Sequence, residues 1–252
     1  MQRKKISADE VLSTKKLNEI ETITGLVFRN KKLLEQAFIH RSFLNETGRT
    51  CIENNERLEF LGDKILGFAL GQYLYKYFPE ANEGLMTAIF GVAASGDMLS
   101  KIAEELKLTN FLLLSKGERV ELDGYKRSRK RILACTLEAL IGALYLDRGP
   151  GAVEIFLSSV LFPKITEIVE NQQYIDAKSQ LQVETQKFYG LLPTYQVVEE
   201  VGPAHEKKYI VEVFLNQDHL ATGEGYSKQA AEVEAARNAL KIKFDIVVAS
   251  MY

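Results

Sequence analysis

Cysteine is nearly missing from this chain: Cys51 and Cys135 are the only two. Two such residues make neither a disulfide framework nor a zinc site, and they fit a reducing compartment. An excess of either charge is also missing. Lys and Arg total 32 against 34 Asp and Glu, a formal net charge of -2. Composition therefore gives no sign of nucleic-acid binding, and any basic footprint must be local. No apolar run approaches the roughly 20 residues that span a bilayer, so no membrane is expected. The start, Met1 to Glu10, is basic but leads into no apolar signal-peptide core. Repeats and low-complexity segments are absent as well. What remains is an ordinary globular composition, 46% hydrophobic and 26% charged, over 252 residues. That length holds one large or two small domains, and the expected location is cytoplasmic.

The densest chemistry lies between Asn54 and Asp63. Leu58, Leu61, Ile65, Leu66 and Ala69 fall at helical spacing, with Asn54 or Asn55 as the cap. Glu56, Glu59 and Asp63 fall at i, i+3 and i+7 and share one helix face. Like charges so placed repel by roughly 0.2–0.5 kcal/mol per pair on an exposed helix. Solvent satisfies such a face, and so does a bound divalent cation. All-oxygen ligands without a Cys-His cluster point to magnesium or manganese, not zinc.

The remaining elements follow in order. Residues 1–15 read as a polar extension. Helical periodicity begins near Leu17 and breaks at Gly25. His40 lacks an apparent nucleophile partner and reads as structural. Gly62, Gly67 and Gly71 recur at helical spacing, which implies close approach of another backbone, since each costs a helix roughly 1 kcal/mol relative to Ala. Glu83 opens a further helix. Residues 123–131 carry five basic side chains (Lys126, Arg127, Arg129, Lys130 and Arg131) in a stretch read as a surface loop or a phosphate contact. A second apolar helix runs from Ile132 to Asp147 and contains Cys135 and Glu138. Gly149-Pro150-Gly151 breaks it, one helix is expected from about Ala152 to Ile168, and 171–175 reads as a linker. Beyond the linker come a helix, three strand-like segments (Pro193–Val201, Lys207–Leu215, His219–Tyr226) and a final helix from Ser227. An apolar tail occupies 245–252.

The run Asn55-Glu56-Arg57-Leu58-Glu59-Phe60-Leu61-Gly62-Asp63 resembles the signature of the ribonuclease III family. Glu83-Gly84 and His40-Arg41-Ser42 match shorter family segments. The helix-strand-strand-strand-helix order near the C-terminus resembles a double-stranded-RNA-binding domain. The resemblance implies an all-α nuclease domain at 16–170 and an α-β-β-β-α RNA-binding domain at 176–244. It implies metal-dependent endonucleolytic cleavage of double-stranded RNA, leaving 5′-phosphates and short 3′ overhangs, in processing of ribosomal and other structured RNAs. Magnesium, replaceable by manganese, would be held by Glu59, Asp63 and Glu138. Glu56 and Glu83 would orient RNA near the cut, and Phe60 would join a homodimer interface. Gln182, His205, Ser227 and Lys228 would face RNA, which such modules read by shape, phosphates and 2′-hydroxyls.

The chain also departs from the family. Cys135 stands where the family carries an Asp ligand, and Phe90 stands where it commonly carries an Arg. A neutral thiol suits magnesium poorly. The expected consequence is a weakened, manganese-biased or water-rebuilt site, or a cysteine that merely packs. Lys228-Gln229 replaces two adjacent basic residues, and Val183 a frequent Glu. Residues 175–244 hold eight basic against ten acidic side chains, so modest, salt-sensitive RNA affinity is expected. The alternative reading is a double-stranded-RNA-binding protein whose nuclease domain is weakened or inactive.

Overall fold

The computed structural model describes residues 11–49, 52–170, 176–202 and 207–246, without the side chains of Glu121, Asp123, Lys126 and Arg127. Cys51, His205, the stretch 171–175 and the tail from Val247 therefore lie outside the described residues, as do the first ten positions. The chain forms two compact units that part between Glu167 and Ile168.

The first unit is helical. It begins with α1 (Thr14–Thr24), capped by the Ser13 hydroxyl and closed by Gly25 in the left-handed region. Two short helices follow, α2 (Lys31–Ala37) and α3 (Arg41–Thr47). Next come the long α4 (Glu56–Tyr77), then α5 (Glu83–Ala93), α6 (Gly96–Glu105) and α7 (Lys116–Gly124). A second long helix, α8 (Lys126–Arg148), precedes α9 (Pro150–Val160) and α10 (Phe162–Glu170), and the division between the units falls within α10.

Helices α4 and α8 are the centre of this unit. Helix α4 buries Leu58, Gly62, Leu66, Leu70 and Leu74, every fourth residue along one face. Helix α8 answers with Leu133, Leu137, Leu140, Ile141 and Leu144, all at most 1% exposed. At the crossing the two backbones nearly touch. A Cβ on Gly62 would stand 1.8 Å from the carbonyl oxygen of Glu138, and one on Gly142 would stand 2.2 Å from that of Leu58. Of the three glycines on α4, only Gly62 makes such an approach, and it does so within the chain. Gly67 faces the Phe90 ring at 3.6 Å, and Gly71 has no neighbour within 4 Å.

Two expectations about elements are corrected. The stretch from Ala152 to Ile168 is two helices, not one, separated at Leu161. Pro163 has no N–H to continue the ladder, and its ring would meet the carbonyl four residues earlier. The basic run is not a loop ahead of the second helix but the first turns of α8 itself, entered from an extended Tyr125. Cations at a helix N-terminus oppose the macrodipole. Two of them are compensated: Arg129 pairs with Glu104 at 2.8 Å and Lys130 with Asp97 at 2.6 Å.

The second unit comprises α11 (Ala177–Tyr189), β1 (Pro193–Val201), β2 (Lys208–Leu215), β3 (Asp218–Gly225) and α12 (Lys228–Phe244). The sheet is antiparallel in the order β1-β2-β3. Val211, Val213 and Leu215 alternate inward against Leu181, Ala231, Ala235 and Ala239. The glycines of β3 are required by close packing against α12. A Cβ on Gly223 would lie 2.1 Å from the Ala235 nitrogen, and one on Gly225 would lie 2.5 Å from that of Ala231. The architecture is the expected one, an all-α unit followed by an α-β-β-β-α unit. Among the described residues no single helix is long and apolar enough to cross a membrane.

The crossing makes a paired prediction. Gly62→Ala should lower stability by about 1–3 kcal/mol or more, the usual cost of overpacking. Gly71→Ala, with open space around it, should be neutral or stabilising by up to about 1 kcal/mol. Chemical denaturation midpoints of the two variants measure the contrast; equal midpoints would refute the tight crossing.

Candidate metal centre and nucleic-acid interface

The start of α4 is built from two asparagines with different tasks. Asn55 is buried, donating its backbone N–H to the Ile39 carbonyl at 2.9 Å and its side-chain amide to the Ala37 carbonyl at 3.4 Å. The cap is supplied instead by Asn54, whose Oδ1 accepts from the Glu56 N–H at 3.1 Å. The Asn54 amide also donates to Glu56 at 3.0 Å, and Arg41 approaches the same carboxylate at 3.4 Å. Glu56 is thus exposed but held.

One turn on, the crossing brings Glu59 on α4 together with Cys135 and Glu138 on α8. One ligand atom from each lies within 4.8 Å of the others, and all three residues are half-buried. Asp63, the next acid along α4, is more exposed and engages Lys64 at 2.6 Å. Burial pushes the Glu138 carboxyl up to about 7, assisted by the charges of Asp63 and Glu59 and opposed by Lys64. The Cys135 thiol is pushed up to about 12 by burial, then by its hydrogen bond to Glu59 and the charges of Glu59 and Glu138. Cys135 is therefore a neutral thiol that donates to Glu59. A divalent cation fits this donor set through the carboxylates: it would supply the positive charge that half-buried Glu59 and Glu138 lack. The neutral thiol adds nothing to a magnesium ion, which takes oxygen ligands.

The other positions singled out from sequence lie as follows. Glu83 is exposed in the first turn of α5, where it accepts from the Thr87 hydroxyl at 3.1 Å, and it is not in the cluster of Glu59, Cys135 and Glu138. Phe90 packs beside Gly67. Phe60 is 70% exposed on α4, and Phe68 and Tyr75 further along it are exposed too. His40 caps α3 by accepting from the Ser42 N–H at 3.3 Å, and burial holds its ring below the ordinary histidine range.

In the second unit Gln182 is exposed on α11. The Ser227 hydroxyl caps α12 by accepting from the Ala230 N–H at 3.1 Å. Lys228 follows, exposed, with its ammonium 5.6 Å from the Tyr209 ring centre. It also lies 3.4 Å from Glu200, which accepts from Lys207 at 2.7 Å. The bond from Lys207, aided by Lys228, holds the Glu200 carboxyl below its usual range. One carboxylate on β1 thus serves two cations on different elements. Sequence reading missed it, because Glu200 and Lys228 are far apart in the chain and meet only when the sheet and α12 form.

Residues 30–165 match a family model described as ribonuclease-III-like. The chain belongs to the ribonuclease III family. Residues 177–243 match the double-stranded RNA binding motif. Ribonuclease 3 of Geobacillus kaustophilus is 44% identical over 226 residues, covering 90% of each chain. Ribonuclease 3 of Enterococcus faecalis is 41% identical over 223 residues, covering 88% of this chain and 95% of that one. A solved nuclease domain of ribonuclease III from Campylobacter jejuni is 31% identical with a TM-score of 0.51, covering 58% of this chain and 99% of that domain. A second structure of that domain, at 30% identity, has a TM-score of 0.52 and covers 60% and 97%. Ribonuclease III membership thus spans both units, the helical one and the RNA-binding motif.

Two predictions arise from the electrostatics of this ribonuclease III chain. The raised Glu138 carboxyl stabilises the metal-free fold while protonated, so that contribution should be lost as pH rises from about 4.5 through about 7. Glu138→Gln should flatten this part of the metal-free stability profile, measured by denaturation midpoint against pH; an unchanged slope would place the loss elsewhere. Glu200→Gln should free Lys207 and Lys228 for phosphate, tightening duplex-RNA binding at low salt and steepening its salt dependence. A gel-shift series across salt concentrations reads both, and unchanged affinity would remove Glu200 as a competitor.

Proposed function

We propose that this ribonuclease III family chain is a metal-dependent endoribonuclease that hydrolyses double-stranded RNA, leaving 5′-phosphates and short 3′ overhangs. The observation that carries the reading is the convergence of Glu59 and Glu138 at the α4–α8 crossing, in a chain that also has a double-stranded RNA binding motif. Residues 16–170 are assigned as the nuclease domain, 171–175 as the linker and 176–244 as the RNA-binding domain. Glu59 and Glu138 would hold the cation, with Asp63 beside them. Magnesium is the proposed ion and manganese its substitute. When bound, it supplies charge to activate water and to stabilise the leaving 3′-oxygen.

The chain's own side chains do the rest. Glu138, poised near neutrality, gives up its proton when a cation takes its place. The Cys135 thiol fixes the Glu59 carboxylate by donating to it. Glu56, held by Arg41 and Asn54, and Glu83 are assigned to orienting RNA. Gln182, His205, Ser227 and Lys228 are assigned to the duplex, with Lys228 on phosphate. A-form RNA hides its base edges, so substrates are selected by helical shape; ribosomal and other structured precursors in the cytoplasm fit that preference.

The proposed working form is a homodimer. Phe60, Phe68 and Tyr75 leave an apolar side of α4 uncovered, and the Campylobacter jejuni nuclease domain is described as having a region involved in dimer formation. Two subunits would present one centre to each strand.

Cleavage of a long RNA duplex in magnesium and in manganese tests the activity. Wild-type protein should produce short duplexes. Glu138→Gln should lose cleavage by more than about 100-fold, beyond the loss from removing an outer-shell partner, while retaining duplex binding. Binding without cleavage by the wild type in either metal would refute the enzyme. Phe60→Asp should shift the protein toward monomer in sedimentation; an unshifted dimer would remove Phe60 from the interface.

A further inference from the structure

We propose that Cys135 makes this centre a site for thiophilic divalent cations such as zinc and cadmium, bound through Sγ together with the carboxylates of Glu59 and Glu138. The inference rests on these two carboxylates being the metal centre and goes beyond it in assigning Cys135 a ligand role toward a second class of ion.

The Cys135 sulfur and one oxygen each of Glu59 and Glu138 lie within 4.8 Å of one another. Metal–ligand bonds to zinc are about 2.0–2.3 Å, so ligand atoms on one tetrahedral ion stand roughly 3.5 Å apart. Closing from the observed spacing needs only side-chain adjustment, because the backbones are already fixed by the Gly62 and Gly142 contact. Cys135 and Glu138 are one helical turn apart on α8 and so share a face, while Glu59 reaches them from α4.

Donor chemistry then separates the ions. Magnesium is hard and gains nothing from sulfur, so for magnesium Cys135 only positions Glu59 through its S–H bond. Zinc and cadmium accept a sulfur ligand readily, whereas magnesium takes carboxylate, carbonyl and water oxygens. Binding breaks the S–H bond and makes the Sγ–metal bond with the same electron pair. The proton leaves to solvent, and no oxidant or reductant is needed. The set is one sulfur and two oxygens, which leaves a fourth position for water.

The test uses the full chain under reducing conditions, with cadmium chloride and magnesium chloride as probes. Titration with cadmium should produce an ultraviolet sulfur-to-cadmium charge-transfer band at one equivalent. Cys135→Ser and Cys135→Ala should abolish the band and weaken cadmium binding by at least about tenfold, the lower bound for losing even an outer-shell partner. Magnesium binding, followed by calorimetry, should fall far less than cadmium binding in Cys135→Ser, whose hydroxyl keeps a donor for Glu59. Cys51→Ser, removing the other cysteine, should leave the band in place. Magnesium binding without a cadmium band in the wild type would overturn the assignment of Cys135 while sparing the centre. A band that survives Cys135→Ser but disappears with Cys51→Ser would overturn it too. Absence of any binding by either ion would overturn the centre itself and this inference with it.

Discussion

Two helices touch backbone to backbone only where neither carries a side chain, and α4 meets α8 in this way. Gly62 lies under the carbonyl of Glu138, and Gly142 lies under that of Leu58. The contact is not merely part of the core. It sets the separation between the turn that bears Glu59 and the turn that bears Cys135 and Glu138. A methyl group at either glycine would push the carboxylates apart before it altered any of them chemically. Packing and chemistry therefore share one constraint, and the leucine rows on either side of the crossing hold it in place.

That constraint carries an electrostatic penalty. Glu59 and Glu138 are drawn together in a half-buried site, and Glu138 responds by holding its proton up to about 7. Burial makes the Glu138 anion costlier than in water, and a cation offsets that cost, which couples metal binding to proton release. Cys135 changes the balance. A carboxylate at its position would add a further negative charge, whereas the neutral thiol adds a hydrogen bond to Glu59. In the second unit Glu200 occupies Lys207 and Lys228, so these two cations reach phosphate only by leaving a partner.

Much of this was legible in the sequence, for definite reasons. The helical spacing of Leu58, Leu61, Ile65, Leu66 and Ala69 announces α4, although the row it buries is Leu58, Gly62, Leu66, Leu70 and Leu74, and the strand-like segment Lys207–Leu215 announces β2. Glu138 stands out as an acid in a largely apolar helix, and Glu59 as one of three acids on one helix face. The signature run around them carries the family. Contacts that depend on three-dimensional approach were not legible. Gly62, Gly67 and Gly71 look alike in sequence, yet only Gly62 meets another backbone. Asn54 and Asn55 are equivalent candidates for a cap until Asn55 is spent on Ile39 and Ala37. The basic run from Lys126 reads as a loop because its compensating acids, Asp97 and Glu104, belong to another helix.

The central claim is that the α4–α8 crossing builds a cation site between Glu59 and Glu138. Anomalous diffraction from crystals of the full chain soaked in manganese measures it most directly. The account predicts a strong anomalous peak within bonding distance of both carboxylates. A well-ordered site with no peak there, or a peak held by other residues, would contradict it.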